Sequence, residues 1–314
     1  MILQAGNRTD IPAFYAEWFC SRLREGEVLV RNPYNRLQVT RYRTDPSVVD
    51  LIVFCTKNPE PMLAHWEELK KRRTFWYVTI TPYGREIEPN VPEAGRVIES
   101  FQRLSSLVGK ERICWRYDPI LLWGPYTKEA HLEHFARMAA ALEGKTDSCV
   151  ISFVDIYGKT LQNFPELAPV PFGDRLFLGE HMQRIAAEHG MVLRPCGEGT
   201  LLQRFGADCG GCMTIPLMER AAGERFVLPK GELQRGRTRQ ACACYITCDI
   251  GQYNTCAHFC RYCYANQDRQ TVEANRKNHD PASPFLIGHA GPQDIVRDAK
   301  QESWIDRQLT LDLF

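Results

Sequence analysis

Cys256, Cys260 and Cys263 are spaced C-x3-C-x2-C in the run NTCAHFCRYCYA, with Tyr262 before the last cysteine and Tyr264 after it. Three thiolates wrapped on one loop can hold three irons of a cubane cluster. Most electron-transfer clusters take four cysteines, so a loop of three leaves one iron open. An open iron can bind a substrate or cofactor directly, which makes the cluster a reaction centre. The competing chemistry is a zinc knuckle, since zinc takes four ligands and His258 or Cys248 could complete the set. C-x2-C pairs are common in zinc sites, whereas C-x3-C-x2-C without a nearby fourth cysteine is not.

The chain holds thirteen cysteines, nine of them between Cys196 and Cys263. The others, Cys20, Cys55, Cys114 and Cys149, sit in apolar or amphipathic surroundings and read as small buried hydrophobes. An odd count, and a start (MILQAGNRTD) without a basic segment followed by an apolar one, argue against a secreted disulfide framework and for a reducing cytoplasm. In that setting a cysteine cluster suggests metal. Cys209 and Cys212 have ligand-pair spacing and Cys242 and Cys244 are closer but usable, with Cys209 and Cys248 as reserves. Simple buried thiols are the alternative.

With 39 basic and 38 acidic residues, the net charge of +1 gives no bulk argument for nucleic acid or an anionic membrane. Lys230, Arg235, Arg237 and Arg239 form a local basic patch without aromatic interleaving, a weak signal for phosphate or nucleic acid. No apolar run approaches the ~20 residues of a bilayer span.

The elements that must position the loop follow from periodicity. Residues 2–4, 49–55, 75–81, 113–117 with 120–122, 149–156 and 191–194 are rich in β-branched and aromatic residues and nearly all apolar, as strands buried on both faces of a parallel sheet are. Amphipathic helices lie between them: one from 92 to 108, one after Thr127 carrying Leu132, Phe135 and Leu142, one carrying Leu178, Met182 and Ile185 before Gly190, and a shorter one over 61–70. The alternation predicts an α/β fold, either a βα barrel or a doubly wound sheet. In both, the loops after strand C-termini carry the site. Residues 245–250 predict one more strand just before the last cysteines. Arg8, Asp10, Glu88, Arg116, Asp118, Asp155 and Glu198 lie at or near strand ends, where either site or capping roles fit. Tyr117, Tyr157 and Tyr262 are hydrogen donors to a radical or packing aromatics.

The cysteine loop, preceded by a strand and flanked by aromatics, resembles the signature of radical S-adenosylmethionine (radical SAM) enzymes. The resemblance implies a 4Fe-4S cluster on Cys256, Cys260 and Cys263 that cleaves S-adenosylmethionine reductively to a 5′-deoxyadenosyl radical. Thr56-Lys57, Glu88-Pro89 and Asp118-Pro119 are similar to strand-end features of the spore photoproduct lyase branch. Over nearly its whole length the chain resembles a bacterial family of unknown function, from Asn7–Tyr15 (NRTDIPAFY) to the YNTC–CRYCYA loop. The family pattern implies an incomplete (β/α)6 TIM-like barrel. The loop follows the last strand rather than the first, as in a circular permutation, so the 245–250 strand should lie beside 2–4.

The resemblance further implies Lys57 and Tyr262 as cofactor-binding residues, although a solvated surface lysine is the alternative for Lys57. It implies Cys196, Cys212, Cys242 and Cys244 as an auxiliary cluster or zinc site. The expected divisions are a barrel core over 1–195, a Cys-rich region over 196–270 and a packed tail over 271–314. Expected partners are S-adenosylmethionine, an unidentified nucleic-acid or small-molecule substrate, and an electron donor such as flavodoxin or ferredoxin, with no membrane. Two other classes compete: a zinc-stapled βα protein that binds nucleic acid, and an electron-transfer protein with fully ligated clusters.

Overall fold

The computed structural model describes residues 1–229, 244 and 248–307. In chain order the strands are β1 (Ile2–Ala5), β2 (Glu27–Arg31), β3 (Gln38–Arg43), β4 (Leu51–Thr56), β5 (Thr74–Thr79), β6 (Ile113–Ile120), β7 (Ser148–Phe153), β8 (Val192–Pro195), β9 (Cys248–Asp249) and β10 (Ile295–Asp298). Seven form one sheet in the order β8-β7-β6-β5-β4-β1-β9, and every neighbouring pair is parallel. The sheet is open, with β8 and β9 at its edges. The expected array of six strands gains its seventh from β9, the described part of the 245–250 segment. Leu3 pairs with Cys248 and Gln4 with Asp249, so the late strand does lie beside the first.

The connection from β8 returns across the sheet to β9 beside β1, whereas from β1 to β8 the order runs one way. Crossovers of one hand then place the connecting helices on one face. Leu3, Ile52, Phe54, Trp76, Trp115 and Ile151 share one core with helices Ala16–Glu25, Ala94–Val108, Lys128–Leu142 and Phe172–Glu188. The alternate residues Ile2, Val53, Phe75, Tyr77, Cys114 and Val150 pack the opposite way, beneath helix Ile215–Ala222 and Trp304. Burial on both faces is why these strands are apolar without alternation.

Local chemistry sets the boundaries. The Thr127 hydroxyl accepts from the Ala130 N–H at 3.3 Å and starts the helix that follows. The helix expected over 61–70 is two separate turns, Glu60–Leu63 and Trp66–Leu69. The segments 113–117 and 120–122 merge into β6, which runs through a cis Asp118-Pro119 bond with a register shift between Tyr117 and Ile120. At the end of β1, Gly6 has φ +154°, and a Cβ there would stand 2.3 Å from the Cys55 carbonyl oxygen of β4. Only glycine permits that approach. A second sheet, β10-β3-β2, was not expected from the sequence and draws its last strand from the tail. Among the described residues, no helix is long and apolar enough to cross a membrane.

Candidate metal and cofactor site

Parallel strands bring their C-terminal ends to one edge of the sheet, and the cysteine loop lies across that edge. It is sewn to the segments that follow two of the strands. The Arg261 N–H donates to the Ile87 carbonyl at 3.0 Å, and Asn90, beyond β5, donates to the His258 carbonyl at 3.1 Å and through its side chain to the Ala257 carbonyl at 2.8 Å. Tyr264 donates to the Asn7 carbonyl, beyond β1, at 2.6 Å. Asn254 and Phe259 have φ of 59° and 55°, and among the described residues they are the non-glycines with positive φ. Such backbone persists where its surroundings hold it, and it concentrates at functional loops.

His258, the alternative zinc ligand, is buried and turned away from the sulfurs. One ring nitrogen lies 2.9 Å from Asp10 Oδ2 and the other 3.3 Å from the Asn90 carbonyl. Asp10 also accepts from the Ala13 N–H at 3.0 Å and the Lys57 N–H at 2.7 Å. It therefore caps the first helix and also clamps the cysteine loop to β1 and β4, two roles that the sequence presented as alternatives. Cys248, the other reserve, sits on β9 with its thiol 3.8 Å from the Ile2 carbonyl.

Lys57 is not a surface lysine. Its ammonium pairs with the buried Glu88 carboxylate at 2.8 Å, with side-chain exposures of 13% and 1%. Burial works against the Lys57 charge, but Glu88 and the neighbouring Cys260 outweigh it and raise its pKa. Thr81 donates to Glu88 at 2.9 Å and Tyr262 donates to the same carboxylate. The Lys57 ammonium is 5.8 Å from the centre of the Tyr262 ring. Burial pushes the Cys260 thiol well above its usual range, Glu88 adds to this and Lys57 opposes it. Cys256 and Cys263 are raised by burial as well. Buried neutral thiols beside a carboxylate become good ligands once a cation arrives to stabilise their thiolates. The donor set fits a thiolate-bound metal centre.

Further strand ends continue the edge. Arg116 of β6 donates to Asp118 at 3.1 Å, and Ser152 of β7 bonds the same carboxylate. Glu198, after β8, accepts from the Phe153 N–H at 3.1 Å and pairs with Arg175 at 3.3 Å; burial raises its pKa. Arg8 reaches Asp249 of β9 at 3.7 Å. Tyr157 donates to Asp155 at 3.2 Å. Tyr117 is buried among helix residues with its hydroxyl 2.7 Å from His131, which places it in the core and away from this edge.

Of the auxiliary set, Cys196, Cys212 and Cys244 meet on the sheet face opposite the four long helices. The Cys212 and Cys244 sulfurs are 3.1 Å apart. Hydrogen bonds from Cys212 and Cys244, with Arg116 beside them, hold the Cys196 thiol well below its usual pKa. Cys242 and the basic residues Lys230, Arg235, Arg237 and Arg239 lie outside the described residues. The C-x2-C spacing of Cys209 and Cys212 misleads, because Cys209 packs into the helix-covered core and Cys212 into the opposite one.

Sequence reasoning passed over Thr81 and Asn90, whose roles come only from tertiary placement. It also read Cys20 as a plain hydrophobe, whereas the donor atoms of Cys20, His65 and Glu68 lie within 4.8 Å of one another. A cleft of about 740 Å³ beside helix Ala94–Val108, lined by Asn58, Glu60, Arg96 and Arg103 among others, includes none of the loop residues.

No curated protein and no solved structure matches the chain. The profile of DUF1848, described as a domain of unknown function, matches residues 2–265, and the chain belongs to that family.

Proposed function

We propose that the chain is a radical S-adenosylmethionine enzyme, with Cys256, Cys260 and Cys263 holding a 4Fe-4S cluster. The observation that carries this reading is the placement of a three-thiol loop across the C-terminal edge of a parallel sheet, directly beside a buried Lys57–Glu88 pair. Taken from β9, the spatial order β9-β1-β4-β5-β6-β7-β8 supports reading the open sheet as an incomplete, circularly permuted βα barrel. Both ring nitrogens of His258 are engaged elsewhere, which leaves the loop three thiols rather than a zinc set.

When bound on Cys256, Cys260 and Cys263, a 4Fe-4S cluster would supply the electron for reductive cleavage of S-adenosylmethionine. The chain's own residues bind and orient that cofactor. Lys57 offers an ammonium for the methionine carboxylate and Glu88 a carboxylate for its amino group. The two side chains pair at 2.8 Å. The Tyr262 and Thr81 hydroxyls donate to Glu88 and keep it aimed. The row of Arg116, Asp118, Ser152 and Glu198 lies on the adjoining strand ends and would hold the substrate. A low-potential flavodoxin or ferredoxin would deliver the electron.

The test is anaerobic purification followed by iron and sulfide assays. The loop should carry about four irons with broad absorption near ~400 nm. The paramagnetic resonance of the reduced cluster should change on adding S-adenosylmethionine, and 5′-deoxyadenosine should form. Cys260→Ala should lose both the iron and the product. If the protein contains no iron or sulfide, or if Cys260→Ala performs like wild type, the reading is wrong.

A further inference from the structure

Helix Ala16–Glu25 and the turn Trp66–Leu69 lie in the connections that lead out of the adjacent strands β1 and β4. Those connections are joined at the sheet edge, where Asp10 accepts from the Lys57 N–H at 2.7 Å. Farther along they meet a second time, through one thiol, one imidazole and one carboxylate. Cys20 comes from the helix, His65 stands just before the turn, and Glu68 is three places on. The donor atoms of the three lie within 4.8 Å of one another, and among the described residues no other trio of His, Cys, Asp or Glu donors is drawn together in that way.

The protein's own hydrogen bonds do not account for this meeting. Cys20 is wholly buried, yet among the described residues its thiol makes no hydrogen bond, whereas the thiols of Cys114, Cys149 and Cys248 each reach a backbone carbonyl. Burial pushes the Cys20 thiol up to about 12, with Glu68 adding to the shift and Arg24 opposing it. Neither ring nitrogen of the half-buried His65 has a hydrogen bond among the described residues. Arg24 engages one Glu68 oxygen at 2.5 Å, but its side chain is 55% exposed, so the pair is weak and the second oxygen stays open. A tetrahedral zinc with Zn–S near ~2.3 Å and Zn–N and Zn–O near ~2.1 Å sets such atoms roughly 3.4–3.6 Å apart. Closing to that spacing takes roughly 1 Å, which His65 and Glu68 can supply by rotation while the core fixes Cys20. Sulfur and imidazole together select zinc over magnesium or calcium, which take oxygen shells.

We propose that Cys20, His65 and Glu68 bind a single zinc ion, with water in the fourth position on the solvent side. On binding, the Cys20 thiol gives its proton to solvent, and the sulfur, one ring nitrogen and one carboxylate oxygen replace three of the ion's waters. The zinc gives the buried thiol a partner and pins the helix after β1 to the turn after β4. Those are the connections whose first residues include Asp10 and Lys57. The site is separate from the Cys256–Cys260–Cys263 loop and does not depend on what that loop holds.

Zinc titration in competition with a chromogenic chelator tests this, on the full chain purified anaerobically without an immobilised-metal column. His65→Ala and Glu68→Gln alter half-buried residues and should fold as wild type does, and each should take up one zinc fewer per chain. Cys20→Ser should do the same. Removing a residue that only supports a ligand costs roughly 10–100-fold in affinity, so removing a ligand should cost at least about 100-fold. Zinc should raise the melting temperature of wild type by more than that of His65→Ala. With cobalt, the wild-type spectrum minus that of Cys20→Ser should show the thiolate charge-transfer and tetrahedral bands of one ion. Iron content should be equal in wild type and these three variants, and Cys260→Ala should keep this zinc, so failure here and failure of the cluster reading are told apart. The proposal is overturned if wild type takes up no zinc, or if the three variants take up as much zinc as wild type with equal affinity.

Discussion

The Lys57–Glu88 pair shows how much energy a site can place in two side chains. Both are desolvated, and each is tolerable only because the other is present. Lys57→Ala would strand a buried carboxylate with only hydroxyl donors, and should destabilise the fold by about 3–5 kcal/mol in chemical denaturation. Replacing both residues with apolar ones of similar size should recover most of that loss while abolishing S-adenosylmethionine binding by calorimetry. A double variant that still bound the cofactor would remove the pair from the site. At this scale the three loop cysteines stood out by their spacing, whereas Lys57 was pointed to only by the family resemblance. The sequence was opaque for Asn90 and Thr81, whose residue types are ordinary and whose importance is that they end up under the loop. His258 was noticed for the wrong reason. Its position between two cysteines suggested ligation, but its nitrogens face Asp10 and the Asn90 carbonyl.

Helices and strands are held in register by a few buried polar contacts that can be tested singly. His131 joins helix Lys128–Leu142 to the end of β6: one nitrogen is 2.7 Å from the Tyr117 hydroxyl and the other 2.8 Å from the Leu121 carbonyl. The carbonyl can only accept, so that nitrogen carries the proton, the other accepts from Tyr117 and the ring is neutral. Burial lowers its pKa from 6.5 to about 4. The unfolded chain therefore binds a proton that the folded chain refuses between those values. Stability should fall as pH drops through that window, by up to roughly 1.4 kcal/mol per unit, and level off below it. His131→Gln should flatten that part of the melting temperature against pH curve. Gly6→Ala places a methyl against the Cys55 carbonyl oxygen, and neither backbone can yield without breaking the β1–β4 pairing. A loss of at least about 2 kcal/mol in denaturant titrations is expected. The long buried strands were readable because burial on two faces leaves unbroken apolar runs. β2 and β3 were not, since EVLVR and QVTRYR mix charge with apolar residues and face solvent on one side. β10 is exposed throughout and is specified only by its distant partner β3.

Across the whole molecule, the open sheet has two faces to cover, and the chain covers them differently. Four long helices cover one. The other is closed by helix Ile215–Ala222, the thiol trio and Trp304, a residue of the tail. The Trp304 N–H and the Ser303 hydroxyl donate to the buried Asp50 carboxylate at 2.7 and 2.6 Å, which anchors the tail just before β4. Trp304→Ala should cost about 3–5 kcal/mol and increase proteolysis of the residues after Asp298, measured by limited digestion and mass spectrometry. The tail was expected to lie over the domain, but a tryptophan inserted beneath the sheet was not legible, because a lone aromatic in a polar segment has no period to reveal it. The pairing of β9 with β1 has a further outcome during synthesis. A ribosome releases the first strand early and must translate more than two hundred residues before its partner emerges. Throughout that time the flank of β1 is a bare template for misassociation, so a holding chaperone should engage the nascent chain.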